Sequence, residues 1–174
     1  MPLLLWAILS ITGCVHTIHV NPLPSSPTSQ PIPLSAQVVT RRVALSGADH
    51  MPGINQLRWP QADIRHALEE YVKRRETFAV VTTAPADLLL EIGPELSLKS
   101  RDRYWYRIRL QIDIKASGRL IKSYVADHEI EGSVVRWVTA SDRIPIEAAL
   151  QRALDDVFTQ IETDRALFIA AKGG

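Results

Sequence analysis

A histidine beside carboxylates is a common arrangement for moving protons, and this chain offers it twice. Asp63, His66 and Glu70 stand three and four residues apart, close enough on a helix to touch. Such a set could orient an imidazole for acid–base work, but Arg65, Glu69 and Lys73 surround it, and a solvated face with local ion pairs accounts for all six. The second set, Asp127-His128-Glu129 with Glu131, lies in an extended stretch. Successive side chains of a strand point to opposite faces, so Asp127, Glu129 and Glu131 form one acidic row and His128 points away from it. The row is expected beside Arg107 and Arg109 of a neighbouring strand, as cross-strand pairing. His16 and His19 are too few for a metal site without further ligands. The chain has no Gly-x-Ser-x-Gly elbow, phosphate-binding glycine loop, dinucleotide fingerprint, zinc-binding His/Glu motif or calcium loop. The sequence therefore points to no catalytic residue, no metal, no cofactor and no enzyme.

Cys14 is the one remaining reactive group and the only cysteine, which excludes an internal disulfide. Residues 3–11 before it are uncharged and mostly apolar, too short for a bilayer, which needs roughly 20 residues, but suited to the apolar region of a signal peptide. They end in Ile11-Thr12-Gly13-Cys14, which resembles the lipobox of bacterial lipoproteins: aliphatic, small, small, cysteine. Met1-Pro2-Leu3 departs from that pattern, lacking the positive charge that normally precedes the apolar run. The expectation is a signal peptide over 1–13 and acylation of Cys14. Val15 in place of Asp favours the outer membrane by resemblance to the lipoprotein sorting rule. Two or three acyl chains anchor a protein stably where one does not, so the domain is expected on the periplasmic face of the outer membrane, held by lipid.

Prolines recur at 22, 24, 27, 31 and 33 with serines between them. Residues 14–36 are therefore expected to be the anchor and an extended spacer, able at about 3.1 Å per residue to hold a domain some tens of ångströms from the lipid.

The elements that must carry any binding face lie beyond this spacer. Gln37–Ser46 reads as a strand with Val39, Val43 and Leu45 on one face. Residues 61–75 read as a helix with Ile64, Leu68, Tyr71 and Val72 as its buried stripe and Pro60 at its start. Residues 78–82 and 87–92 read as strands. Tyr104, Tyr106, Ile108, Leu110, Ile112 and Ile114 alternate with Trp105, Arg107, Arg109, Gln111, Asp113 and Lys115, a strand with one dry and one wet face. Ser117-Gly118 turns it into a partner over 120–131. Ile146, Leu150, Leu154, Val157, Phe158 and Ile161 mark a second helix reaching Glu162. The expected fold is α+β: a two-layer sandwich in β-α-β-β-β-β-α order, the sheet mostly antiparallel and both helices on one face. One domain over 37–165, with a tail at 166–174, fits the length of 174 residues. A net charge of +1 gives no field to draw the whole protein onto nucleic acid or anionic lipid.

Trp105, Arg107 and Arg109 share the wet face, and Trp and Arg are enriched where proteins bind each other. Trp137, within the apolar stretch 132–139, belongs either to a covering flap or to an edge that pairs with a partner strand. These four residues are the expected contacts with an envelope protein.

The order of elements resembles the YajG family of outer-membrane lipoproteins over roughly residues 37–170. The likeness rests on Ser46-Gly47-Ala48-Asp49 after the first strand, Tyr106-Arg107-Ile108 through Asp113-Ile114, Lys122-Ser123-Tyr124 through Ile130-Glu131-Gly132, and the last helix with its apolar tail. It implies a periplasm-facing domain and no catalytic residues. The pattern of one sheet and two helices is also similar to the lipopolysaccharide-assembly lipoprotein LptE and to auxiliary subunits of lipid transporters and of secretion or flagellar machines. A scaffolding role and a transport or assembly role both stand at this point.

Overall fold

The structure, a computed structural model, describes residues 14–47, 50–51, 55–100, 102–132 and 142–172. The expected signal peptide over 1–13, the stretch 133–141 with Trp137, and residues 173–174 of the tail lie outside the described residues.

A six-stranded sheet forms one layer. Its strands are β2 (Ile32–Thr40), β3 (Ala44–Gly47), β6 (Phe78–Thr82), β7 (Leu88–Ser100), β8 (Tyr104–Ala116) and β9 (Arg119–Glu131), ordered β6-β2-β7-β8-β9 with β3 also on β7. A smaller sheet joins β1 (Cys14–Thr17), β5 (Asn55–Arg58) and β4 (His50–Met51). The long ladders β7–β8 and β8–β9 are antiparallel, whereas β2 lies parallel to both β6 and β7, and β3 parallel to β7. The sheet is thus mixed. The parallel part follows from a crossover: helix α1 (Gln61–Arg75) carries the chain from the β2 side over to β6.

Helices α1, α2 (Arg143–Thr163) and α3 (Arg165–Lys172) pack on the sheet. Tyr106, Ile108, Leu110, Ile112 and Ile114 are fully buried beneath them, as are the expected stripes of α1 and α2. The tail expected at 166–174 includes most of the third helix, seated by Phe168, whose ring lies 6.5 Å from that of Tyr124. The β8–β9 turn falls at Ser117-Gly118, both with positive φ (49° and 78°), the geometry that a two-residue hairpin requires.

Two expectations are corrected. The first concerns the continuous strand Gln37–Ser46. Thr40 stands opposite Ile92 and Ala44 opposite Glu95, so four steps on one side match three on the other. The break falls opposite Gly93-Pro94, where proline has no N–H for the ladder. The extra residue changes which side chains face inward: Val38 is buried, Val39 is 40% exposed, and Val43 and Leu45 are only partly buried.

The second concerns the spacer at 14–36. Ile18, Val20, Ile32, Leu34 and Ala36 are core residues, and β2 begins at Ile32. Proline limits backbone donors but not apolar burial, and several of the donors that remain are used. Thr28 N–H donates to Arg75 O at 2.8 Å and Ile32 N–H to Thr77 O at 2.7 Å. Residues 18–30 form a strap along α1 and α2.

Candidate functional site

Because the helices cover one side of the sheet, the alternate side chains of β7, β8 and β9 form an outer face. Three groups of ions are spread over it.

Arg41 follows the end of β2, its backbone N–H still donating to Ile92 O at 2.8 Å, and its side chain reaches Glu91 at 2.8 Å and also Asp113. Lys115 Nζ donates to Glu91 at 2.5 Å. Asp113 accepts as well from Gln111 at 3.0 Å and Ser123 at 2.7 Å. The Lys115 and Arg41 bonds hold the Glu91 carboxyl below its usual range. Burial pushes Asp113 upward, but its bonds to Gln111, Ser123 and Arg41 outweigh this and leave it lowered.

Arg107 forms a two-pronged pair with Asp127, which lowers the Asp127 carboxyl and raises the guanidinium. At the end of the face Lys99 approaches Glu129 at 3.7 Å and Arg103 pairs with Glu131. The acidic row therefore meets basic residues as expected, with Arg107 bonded diagonally: Glu129 is its register partner and Asp127 its ion partner.

The expected binding row is thus three different environments. Arg107 is engaged by Asp127. Trp105 is half-buried, and its indole N–H is shielded from water with no hydrogen-bond partner among the described residues. Arg109 is exposed, and no ion pair holds it among the described residues. It borders a shallow recess of about 140 Å³ with Ser46, Glu95, Ser97 and Arg107.

Neither His66 nor His128 hydrogen-bonds within its own set among the described residues. Asp63 binds His19 at 2.6 Å and Glu70 binds Lys73 at 2.9 Å, while His66 lies exposed. His128 sits on the helix side, 3.4 Å from Asp156 of α2. Among the described residues, no three His, Cys, Asp or Glu side chains are placed to hold a metal, and no helix is long and apolar enough to cross a membrane.

Two organising arginines escaped the sequence reading. Arg41 carries no local signal, since its partners lie 50 and 72 residues away. Arg75 did carry one: it continues the stripe of Ile64, Leu68 and Tyr71 at helical spacing, which places a charge in the interior. It is 6% exposed and bonds Asp155 at 2.8 Å and Glu162 at 2.9 Å. Burial would lower its pKa, but Glu162, Tyr71 and Asp155 raise it overall. Asp155 also accepts from Tyr71 Oη at 2.6 Å and from Ser25 Oγ at 2.7 Å, which ties the strap to both helices.

No protein-family model and no curated protein matches the chain. Solved structures do. A Xanthomonas campestris protein of the family DUF330 superposes with a TM-score of 0.50 at 20% identity, over 92% of this chain and 99% of that one. A homologue of the neuraminyllactose-binding hemagglutinin from Helicobacter pylori gives 0.46 at 11% identity, over 90% and 100%. A Caulobacter crescentus protein described as a lipoprotein gives 0.37 at 14% identity, over 75% and 91%. The first shares the fold of this chain across nearly its whole length; at such identity the likeness is one of fold.

Proposed function

We propose that this chain is a lipoprotein of the bacterial envelope, acylated at Cys14, facing the periplasm from the outer membrane, and recruiting a protein partner through the outer face of its sheet. The recruiting role is carried by that face: long registered strands hold ordered rows of charge while the helices pack on the opposite side. Arg109 offers five donors with no ion pair among the described residues and borders a polar recess, with the half-buried Trp105 farther along the same strand face. The address is supported by the apolar run before Ile11-Thr12-Gly13-Cys14, by Val15, and by the resemblance to the YajG family. The reading is a binding role, because the two histidine–carboxylate contacts, His19 with Asp63 of α1 and His128 with Asp156 of α2, are single exposed pairs.

The test is photocrosslinking in native membranes, with the reactive residue placed at Arg109 on the sheet face or at Arg65 on the exposed side of α1. One envelope protein captured from Arg109, missing from Arg65, and lost when Cys14→Ala removes the anchor is the expected result. Equal capture from both sites, or none from Arg109, would sink the proposal.

A further inference from the structure

The anchor and the domain are closer than a proline-rich spacer would place them. Ile18 is 1% exposed, and its N–H donates to Arg58 O at 2.9 Å. It lies four residues after Cys14, and four residues of extended chain reach at most about 14 Å. Those residues also have a fixed course, because Cys14–Thr17 pairs in parallel register with Asn55–Arg58. The strap beyond Ile18 holds no slack to pay out: Asn21 is held by Glu147, Ser25 by Asp155 and Thr28 by Arg75.

The same contacts fix which end of the molecule faces the anchor. His19 meets Asp63 in the first turn of α1, and Thr28 meets Arg75 in the last. Asn21 meets Glu147 near the start of α2, and Gln30 meets Arg165 beyond its end. The strap therefore runs beside both helices from N-terminal to C-terminal end, and Cys14 lies on the N-terminal side. Arg58 stands opposite Thr17 and is exposed. Arg143 is one helical turn ahead of Glu147, 3.9 Å from it, and half its side chain is in solvent. Ile144 is 69% exposed, more than any other large apolar side chain described.

We infer that the domain rests directly on the lipid surface that holds its acyl chains, with the end bearing Arg58, Arg143 and Ile144 against the headgroups; this depends on the anchored reading above. Arginines suit headgroup phosphates, and the exposed isoleucine that follows Arg143 suits the boundary with the acyl region. The long strands then stand upright on the membrane. Arg103 and Glu131 lie at the anchored end, near Asp142 at the start of α2, while Lys122 meets Asp164 at the far end. The outer sheet face consequently looks sideways, toward other proteins of the same membrane.

Cys14 is the only cysteine, and acylation leaves no free thiol, so a cysteine introduced elsewhere takes a label alone. A bimane on Ile144→Cys or Arg58→Cys is compared with one on Leu120→Cys, Leu167→Cys or Val125→Cys. The full-length acylated protein is reconstituted in phosphatidylethanolamine–phosphatidylglycerol vesicles carrying a headgroup nitroxide. Labels at Ile144 and Arg58 are expected to be quenched several-fold more than the other three. Equal quenching at all five sites, or the strongest quenching at Leu120, Leu167 or Val125, overturns the inference. Mass spectrometry of the N-terminal peptide separates the two ideas: acylated protein with a flat profile defeats this inference alone, whereas unmodified Cys14 defeats the anchored reading and this inference with it.

Discussion

Two of the ion clusters among the described residues, each built on an arginine, stand in opposite situations. Between α1, α2 and the strap, Arg75 is enclosed by Asp155, Glu162 and Thr159, with Tyr71 and Thr77 completing the bonds of the two carboxylates. On the outer sheet face Arg107 and Asp127 form an equally well-aligned pair, but their side chains are 41% and 32% exposed against 7% for Arg75. Removing one partner from the interior cluster strands charges out of water. Removing one from the face returns the other to solvent, which solvates it well. The interior cluster holds the strap, and the face can exchange its pairs with those of a partner at little cost.

Arg75→Met gives the sharpest contrast. It leaves Asp155 and Glu162 without their cation, and a loss of about 3–5 kcal/mol is expected in urea unfolding. A loss below about 1 kcal/mol would erase the distinction between the clusters. Tyr71→Phe removes one bond to Asp155 while keeping the ring, which lies 5.6 Å from Phe158. It should cost about 1 kcal/mol by the same measurement. A double-mutant cycle on Arg107 and Asp127 should give a coupling under about 1 kcal/mol that shrinks with added salt; a coupling as large as the interior effect would show that the face is structural.

The smallest effect is expected at Asp87, a half-buried carboxylate beside β2 and just ahead of β7. The backbone N–H of Ser35, the Lys172 ammonium and the Ser35 hydroxyl lower its carboxyl from 3.8 to about 2. Its folded value lies below its unfolded one, so its contribution is present in full above about pH 4 and disappears as pH falls through 2. Asp87→Asn should flatten that part of the acid limb of a stability–pH curve and leave the neutral region unchanged in slope.

What could be read from the sequence was what repeats locally. The alternation of Tyr104 to Lys115 gave the long strand and its faces, and the stripe from Ile64 to Val72 gave α1 with its bounds. Three features were hidden for physical reasons. Proline between Val20 and Ile32 masked an apolar segment that docks instead of floating. Pro94 set a break in a strand more than fifty residues earlier in the chain, which no window around Val39 contains. The row Trp105, Arg107, Arg109 was correctly placed on one face, but only the structure separated an engaged arginine from an exposed one, because the choice of Asp127 over Glu129 depends on a diagonal reach across strands.

The strap also governs the order of assembly. Asn21, Ser25 and Gln30 find their partners 126, 130 and 135 residues later. A chain delivered from its N-terminus, whether by a ribosome or through a translocation channel, presents Ile18, Val20 and Ile32 long before α2 emerges to cover them. Such non-local closure is slow and leaves apolar surface uncovered in the interim. The strap can therefore close on α2 and α3 only when almost all of the chain has arrived.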